Sequence, residues 1–370
     1  MTIATHPIVA SATSAEQSRA RYPDVIDEVE VGGIRVSYEV YGEGEPTILL
    51  MPTWTLVHSR IWKMQIPTFA RSHRVITIDP RGNGRSDRPT DVAAYDERAF
   101  VADALAVLDA TGTDRAVLVT LSTGAMRGLY LAADHPERVA GLVLVGPATA
   151  LGEGLVDRAE HAFSDVLDTT EGWAKHNEHH WRREYRDFLE FFLANCFTEA
   201  HSTKPIEDGV GWALETDPET LILSQVARGP DADETRALAG RVRCPTLVIQ
   251  GSDDAITGPD RGRALADALG GPIAWVEGGG HFNHIRDPVR VNLLLRDFVE
   301  RVAAASQTGP PSSRWTRGVA RLSVLERTTK VWPHRAVQVG TRGPLGGPIQ
   351  PGMVSACLPG GSRGAPIECP

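Results

Sequence analysis

The sequence predicts a mainly parallel, doubly wound α/β sheet with a helical insertion over one end. Three observations carry this. Short, fully apolar runs recur along the chain. Stretches with apolar residues at helical spacing lie between them. The alternation breaks once, over residues 147–238, for an aromatic-rich helical segment. Strands that read as continuous apolar runs are buried on both faces, as in a parallel sheet. Strand–helix alternation is the pattern that parallel strands with crossover connections require.

The elements follow in order. Residues 1–24 are rich in Ala, Ser and Thr without a clear period, and read as a flexible arm. Residues 29–31 and 34–40 alternate apolar and polar around Gly32-Gly33, a β-hairpin signature that adds an antiparallel edge. Apolar strand candidates then occupy 47–51, 75–79, 116–119, 141–145, 246–249 and 273–276. Helical spacing covers 100–110, 125–133, 261–269 and 289–302. The core is therefore expected over 25–146 and 239–303, with a cap over 147–238. Residues 304–370 are rich in Gly and Pro, lack a sustained period and are expected to be disordered.

Composition narrows the function. A chain of 370 residues with 42% hydrophobic and 23% charged residues can build a sizeable core. A net charge of −9 argues against a nucleic-acid binder, which needs a basic stripe to neutralise phosphates. It equally gives no support for an anionic membrane surface. The N-terminus lacks a basic region followed by an apolar stretch, so no secretory signal is expected. No apolar run reaches the roughly 18 residues of a membrane span. The four cysteines, Cys196, Cys244, Cys357 and Cys369, are scattered without a CxxC pair. They read as free thiols in a reducing cytoplasm, not as a disulfide framework or a zinc site.

The strongest chemical signal is Val117-Leu118-Val119-Thr120-Leu121-Ser122-Thr123-Gly124-Ala125-Met126. An apolar strand runs into Thr-x-Ser-x-Gly, and a helix begins. A serine beside a glycine is usually a turn, but this layout matches a nucleophile elbow. Small residues two before and two after the serine keep strand and helix backbones apart. Gly124 meets that need, and Thr120 stands where glycine is usual. A serine hydroxyl needs a base to take its proton. His281, in Glu277-Gly278-Gly279-Gly280-His281-Phe282, follows the last strand candidate, and is preferred over His284, which lacks the Gly-His context. Asp254, in Gly251-Ser252-Asp253-Asp254, follows another strand and would orient the imidazole.

Together these residues resemble the α/β-hydrolase superfamily, in its cap-bearing serine-esterase branch, over residues 25–302. Four motifs match in order: Asp79-Pro80-Arg81-Gly82-Asn83-Gly84-Arg85-Ser86-Asp87, the Ser122 elbow, His135-Pro136-Glu137-Arg138-Val139, and the Gly251/Asp254 plus Gly280-His281 ending. The resemblance is nearest to hydrolase domains sometimes fused to nucleotide cyclases, though no cyclase module is present. It implies the triad Ser122, Asp254 and His281, with Asp254 selected over Asp253 because the family's acid stands three after the strand-end glycine. It also implies an oxyanion hole from backbone N–H groups. The family usually has His-Gly after the third strand; here Pro52-Thr53 fill that slot, so the donors become the N–H groups of Trp54 and Thr123. Serine at the elbow argues against haloalkane dehalogenases and epoxide hydrolases, which use aspartate there.

The implied activity is hydrolysis of a carboxylic ester or related small acyl compound, without cofactor or metal. Lactonase, thioesterase, C–C hydrolase and cofactor-free perhydrolase activity stay open, as does a non-catalytic ligand sensor. Gly278-Gly279-Gly280 and Gly82-Asn83-Gly84 lack the context of a nucleotide loop. The cap histidines His176, His179 and His180 lie at helical spacing but have no Glu-x-x-His or cysteine nearby, so a packing role is favoured over zinc. Trp173, Trp181, Phe188, Phe191 and Phe192 read as packing, with an apolar acyl pocket as the sharper alternative.

Overall fold

The computed structural model describes residues 19–154, 160–227 and 229–307. An eight-stranded sheet runs through it: β1 (Val25–Val31), β2 (Ile34–Tyr41), β3 (Thr47–Leu50), β4 (Val75–Ile78), β5 (Ala116–Leu121), β6 (Val139–Val145), β7 (Thr246–Gly251) and β8 (Ile273–Val276). The spatial order is β1-β2-β4-β3-β5-β6-β7-β8. Only β1–β2 and β2–β4 pair antiparallel; the remaining pairs are parallel. Gly32 and Gly33 turn the first hairpin with φ of 62° and 81°. Two positive φ values are what a two-residue turn matched to strand twist requires.

Ten α-helices surround the sheet: α1 (Ile66–Phe69), α2 (Glu97–Ala110), α3 (Gly124–Asp134), α4 (Glu178–Cys196), α5 (Thr203–Ala213), α6 (Pro218–Val226), α7 (Ala232–Arg241), α8 (Pro259–Leu269), α9 (Asn283–Arg286) and α10 (Pro288–Gln307) among the described residues. The central strands are buried along their whole length because both faces are covered. Ile48, Leu50, Val117, Val119, Val143 and Val145 pack on one face with Val291, Leu295 and Val299 of α10. Leu49, Leu118, Leu142 and Val248 pack on the other with Ala104 and Leu108 of α2, Leu129 of α3 and Leu265 of α8. Alternate residues of one strand thus feed two cores, which explains the unbroken apolar runs.

The residues read from sequence as one cap divide by contact. Helices α4, α5 and α6 pack on one another through α4, whereas α7 packs against α3 and α8, with Leu238 in the second core. Part of the segment expected to be a flexible arm, 1–24, makes tertiary contacts. The Arg19 side chain is buried, with its guanidinium on Glu39 and the Tyr41 hydroxyl, and Arg21 donates to the Ala70 carbonyl. At the other end α10 continues to Gln307, with Val302 buried, so the expected tail boundary at 304 falls inside a helix. The rest of that tail, with Cys357 and Cys369, lies outside the described residues. Cys196 and Cys244 form no disulfide among the described residues. No described helix is long and apolar enough to cross a membrane.

Candidate active site

Ser122 stands between the end of β5 and the start of α3, with φ of 53°. A non-glycine residue in the left-handed region is strained, and such strain is held only where surroundings enforce it. Three backbone bonds do so: the Ser122 N–H donates to the Val145 carbonyl, and its carbonyl accepts from Ala125 and Ala148, all at 3.0 Å. Gly124 is needed for close approach, because a Cβ there would lie 2.7 Å from the Pro52 carbonyl oxygen.

His281 reaches the same place from the loop after β8. That loop rests on the loop after β7: Ser252 N–H donates to the Val276 carbonyl and Asp253 N–H to the Gly279 carbonyl. A Cβ at Gly251 would come within 2.2 Å of the Gly279 oxygen, so the strand-end glycine permits the contact. The result is a buried pair, His281 Nδ1 to Asp254 Oδ2 at 2.9 Å. Gly146, the residue after Val145, has no side chain; a Cβ there would stand 3.2 Å from His281 Nδ1. The imidazole therefore lies against the strand end that binds the Ser122 N–H.

Asp254 is fully engaged. Oδ1 accepts from the N–H groups of Ile256 and Thr257, and Oδ2 from the Thr257 hydroxyl and Gln250 Nε2 as well as meeting His281. Burial by itself raises the carboxyl's pKa; the His281 charge and these donors outweigh it and hold the group well below the usual carboxylate range. The adjacent Asp253 is exposed and meets only Ser252 Oγ through its side chain. His284 is fully buried against Trp62 and Phe282, away from the carboxylate that His281 holds.

A cavity of about 330 Å³ opens over Ser122, lined among others by Trp54, Thr123, Phe192, Ile256 and Arg261. Among the described residues, neither the Trp54 nor the Thr123 backbone N–H has a protein acceptor. The Trp54 ring sits 5.8 Å from Trp181 and 5.4 Å from Phe192, and its Nε1 donates to Ser224 Oγ. Trp181 and Phe188 stack at 4.3 Å, so the aromatic stretch forms a packed cluster and offers Phe192 to the cavity.

The remaining sequence candidates have structural partners. Asp79 Oδ1 accepts from Ser59 N–H and Oδ2 from Arg85 N–H, which ties down the loop after β4. His180 Nε2 meets Asp187 Oδ2 at 2.9 Å, His176 packs on Trp181, and His179 Nε2 meets the Ser164 carbonyl. Among the described residues no group of three or more His, Cys, Asp or Glu could hold a metal ion.

Four residues escaped the sequence reading. Gln250 and Thr257 complete the Asp254 shell; a polar residue at the end of Leu247-Val248-Ile249 was the available signal. Arg127, inside the apolar α3, donates to the carbonyls of Pro52 and Thr53. Arg261 lines the cavity.

A doubly wound sheet with a strained serine elbow and a buried His–Asp pair in this chain order defines a hydrolase of the α/β class. A family model described as alpha/beta hydrolase fold matches residues 46–288, and the chain belongs to that family. It is 30% identical over 269 residues to a putative carbamate hydrolase, RutD, of Variovorax paradoxus (strain S110), covering 72% of this chain and 97% of that protein. It is also 30% identical over 292 residues to 2-hydroxymuconate semialdehyde hydrolase of Pseudomonas sp. (strain CF600), covering 77% and 97%. Among solved structures, Est816, described as an N-acyl homoserine lactone degrading enzyme, superposes with a TM-score of 0.61 at 29% identity, over 74% of this chain and all of that one. The esterase RhEst1 from Rhodococcus sp. ECU1013 gives 0.62 at 26%, over 75% and 99%. The protein is an alpha/beta hydrolase enzyme.

Proposed function

We propose that the protein cleaves a carboxylic ester or related acyl bond through a Ser122–His281–Asp254 triad and an acyl-enzyme. The observation that carries this is the buried His281–Asp254 pair beside the strained Ser122 turn. Ser122 Oγ attacks the acyl carbon as His281 takes its proton. Asp254 holds Nδ1–H and stabilises the imidazolium. The N–H groups of Trp54 and Thr123 receive the developing oxyanion, aided by the N-terminus of α3. His281 returns its proton to the leaving group, then activates water for deacylation. Each step uses side chains or backbone of this chain, so neither cofactor nor metal is required.

The substrate is a small acyl compound that fits beneath α4, and scattered cysteines with no disulfide among the described residues support a reducing, cytoplasmic setting. The similarity to the 2-hydroxymuconate semialdehyde hydrolase of Pseudomonas and to the lactone-degrading Est816 supports carbon–carbon or lactone cleavage as a second reading.

The test is Ser122→Ala. Turnover of short activated esters should fall by about 10⁴-fold or more in a protein that stays folded. Labelling of the wild type by a fluorophosphonate should disappear with it. Retained activity in the variant refutes the serine nucleophile; a folded wild type that resists labelling favours a ligand sensor.

A further inference from the structure

Arg261 is the cation on the wall of the cavity that contains Ser122. It stands in the first turn of α8. Its Nη1 donates to the Thr149 carbonyl at 2.6 Å. Thr149 follows Ala148, whose N–H donates to the Ser122 carbonyl, so the guanidinium is tied to the loop flanking the serine. Gly154 leaves room beside Nη2: a Cβ there would come within 2.9 Å of it.

The rest of the guanidinium is unanswered. Nε is buried without a hydrogen-bond partner, and Arg261 makes no ion pair with a carboxylate among the described residues. Burial lowers its pKa, with Asp254 opposing from a distance. The Asp254 charge is already shared among His281, Gln250, Thr257 and Ile256. A guanidinium does not deprotonate in proteins, so its half-buried charge persists without an ion-paired carboxylate among the described residues. A guanidinium's N–H groups donate to a carboxylate singly or in a parallel pair, and Nη1 is the one already engaged, on Thr149. Trp54, Phe192 and Ile256 supply an apolar wall in the same cavity. The cavity thus offers apolar surface and a cation together.

We propose that Arg261 binds a carboxylate carried by the substrate, so that the enzyme prefers acyl compounds with a second, anionic end, of which half-esters of dicarboxylic acids are the simplest class. This rests on Ser122 being the nucleophile. Arg261 then sets specificity and takes no part in proton transfer.

The experiment compares kcat/KM for monoethyl esters of straight dicarboxylic acids, from succinate to suberate, with ethyl alkanoates of matched length. Acid release is followed in a pH-stat. A charged hydrogen-bonded contact predicts a preference of at least about tenfold for one or more half-esters in the wild type. In Arg261→Met that ratio should collapse to one or below. In Arg261→Lys, which keeps the charge and loses the fork, it should be intermediate. Circular dichroism reports folding, and the wild-type ratio decides the matter even where Arg261→Met does not fold. Equal values across the series, or a preference unchanged in Arg261→Met, overturn the proposal. An uncharged fluorophosphonate separates the two levels. Labelling at Ser122 without a carboxylate preference overturns the Arg261 assignment alone. A folded wild type that resists labelling overturns the nucleophile and this proposal with it.

Discussion

The γ-methyl of Thr120 occupies the space in which Gly128 would carry a side chain; a Cβ at Gly128 would come within 2.7 Å of it and 2.9 Å of Leu142 Cδ1. The elbow needs small residues where strand and helix backbones cross. The usual glycine two before the serine is missing, and the helix supplies the space instead, one turn into α3. The Thr120 hydroxyl is satisfied by the Val143 carbonyl at 3.1 Å, so a polar atom in the buried strand goes unpunished.

This pairing predicts the behaviour of Gly128→Ala. The added methyl meets a β-branched side chain with little freedom to move, and overpacking of this kind costs about 1–3 kcal/mol. Thr120→Ala in the same protein should restore part of the loss, the contact with Leu142 keeping the rest. Urea unfolding of the two single variants and the double variant gives the coupling directly. Strict additivity would show that the two residues do not share this space.

Asp254→Asn should lower kcat by about 10⁴-fold with little change in fold. Thr257 and Gln250 donate to Oδ2, so an amide at this position turns its NH₂ toward some donor and loses the hold on His281 Nδ1–H. The neighbouring Asp253→Asn, at an exposed site, should leave kcat unchanged. Steady-state ester hydrolysis on both variants distinguishes the roles; equal effects would undo the assignment of the acid.

Acid stability follows from two buried groups. Burial pushes the His284 imidazole down to about 3, opposed by the nearby Ile61 backbone and helped by the His281 charge. The unfolded chain therefore binds a proton that the folded one refuses, from the ordinary histidine pKa near 6.5 downward. Stability contributed by His284 is complete above about pH 6.5 and falls as pH drops toward 3. Asp254, with its carboxyl held down in the fold, adds a second loss that begins near the unfolded carboxylate value of about 4 and continues below it. His284→Leu should flatten the upper part of the profile and leave the lower part. Unfolding free energy against pH, from urea titrations between pH 7 and about pH 4, checks the slope.

The sheet was legible because its strands are buried on both faces, which leaves unbroken apolar runs such as Thr47-Ile48-Leu49-Leu50. Ser122, Asp254 and His281 stood out as candidates because each follows a strand in a segment whose glycines permit close approach. Arg127 and Arg261 did not. A charged residue in a helix reads as solvated, and only the fold shows that α3 turns Arg127 inward and that α8 starts over the cavity. The helix α7 was misplaced for a related reason. Its amphipathic period says that one face is buried, but not whether α4 or α3 covers it.

Arg127 bears on the least usual part of the site. Its Nη1 lies 3.1 Å from the Pro52 carbonyl and 2.5 Å from that of Thr53; its Nε meets Glu97 at 2.8 Å, and its guanidinium lies over the Phe100 ring. The Thr53 carbonyl and the Trp54 N–H belong to one planar peptide, in which they point in opposite directions. Holding the carbonyl on Arg127 therefore turns the Trp54 N–H the other way and fixes the peptide that carries the proposed oxyanion donor. Pro52, having no N–H, cannot take that role itself. Arg127→Met should release this peptide and lower kcat by about 10²–10³-fold, the usual effect of losing one such donor, with KM little altered. It should also cost about 3 kcal/mol of stability, because Glu97 loses its partner. Arg127→Lys restores the charge opposite Glu97 but not the fork, so stability should recover further than kcat does. Parallel recovery of both would mean that Arg127 serves the fold alone.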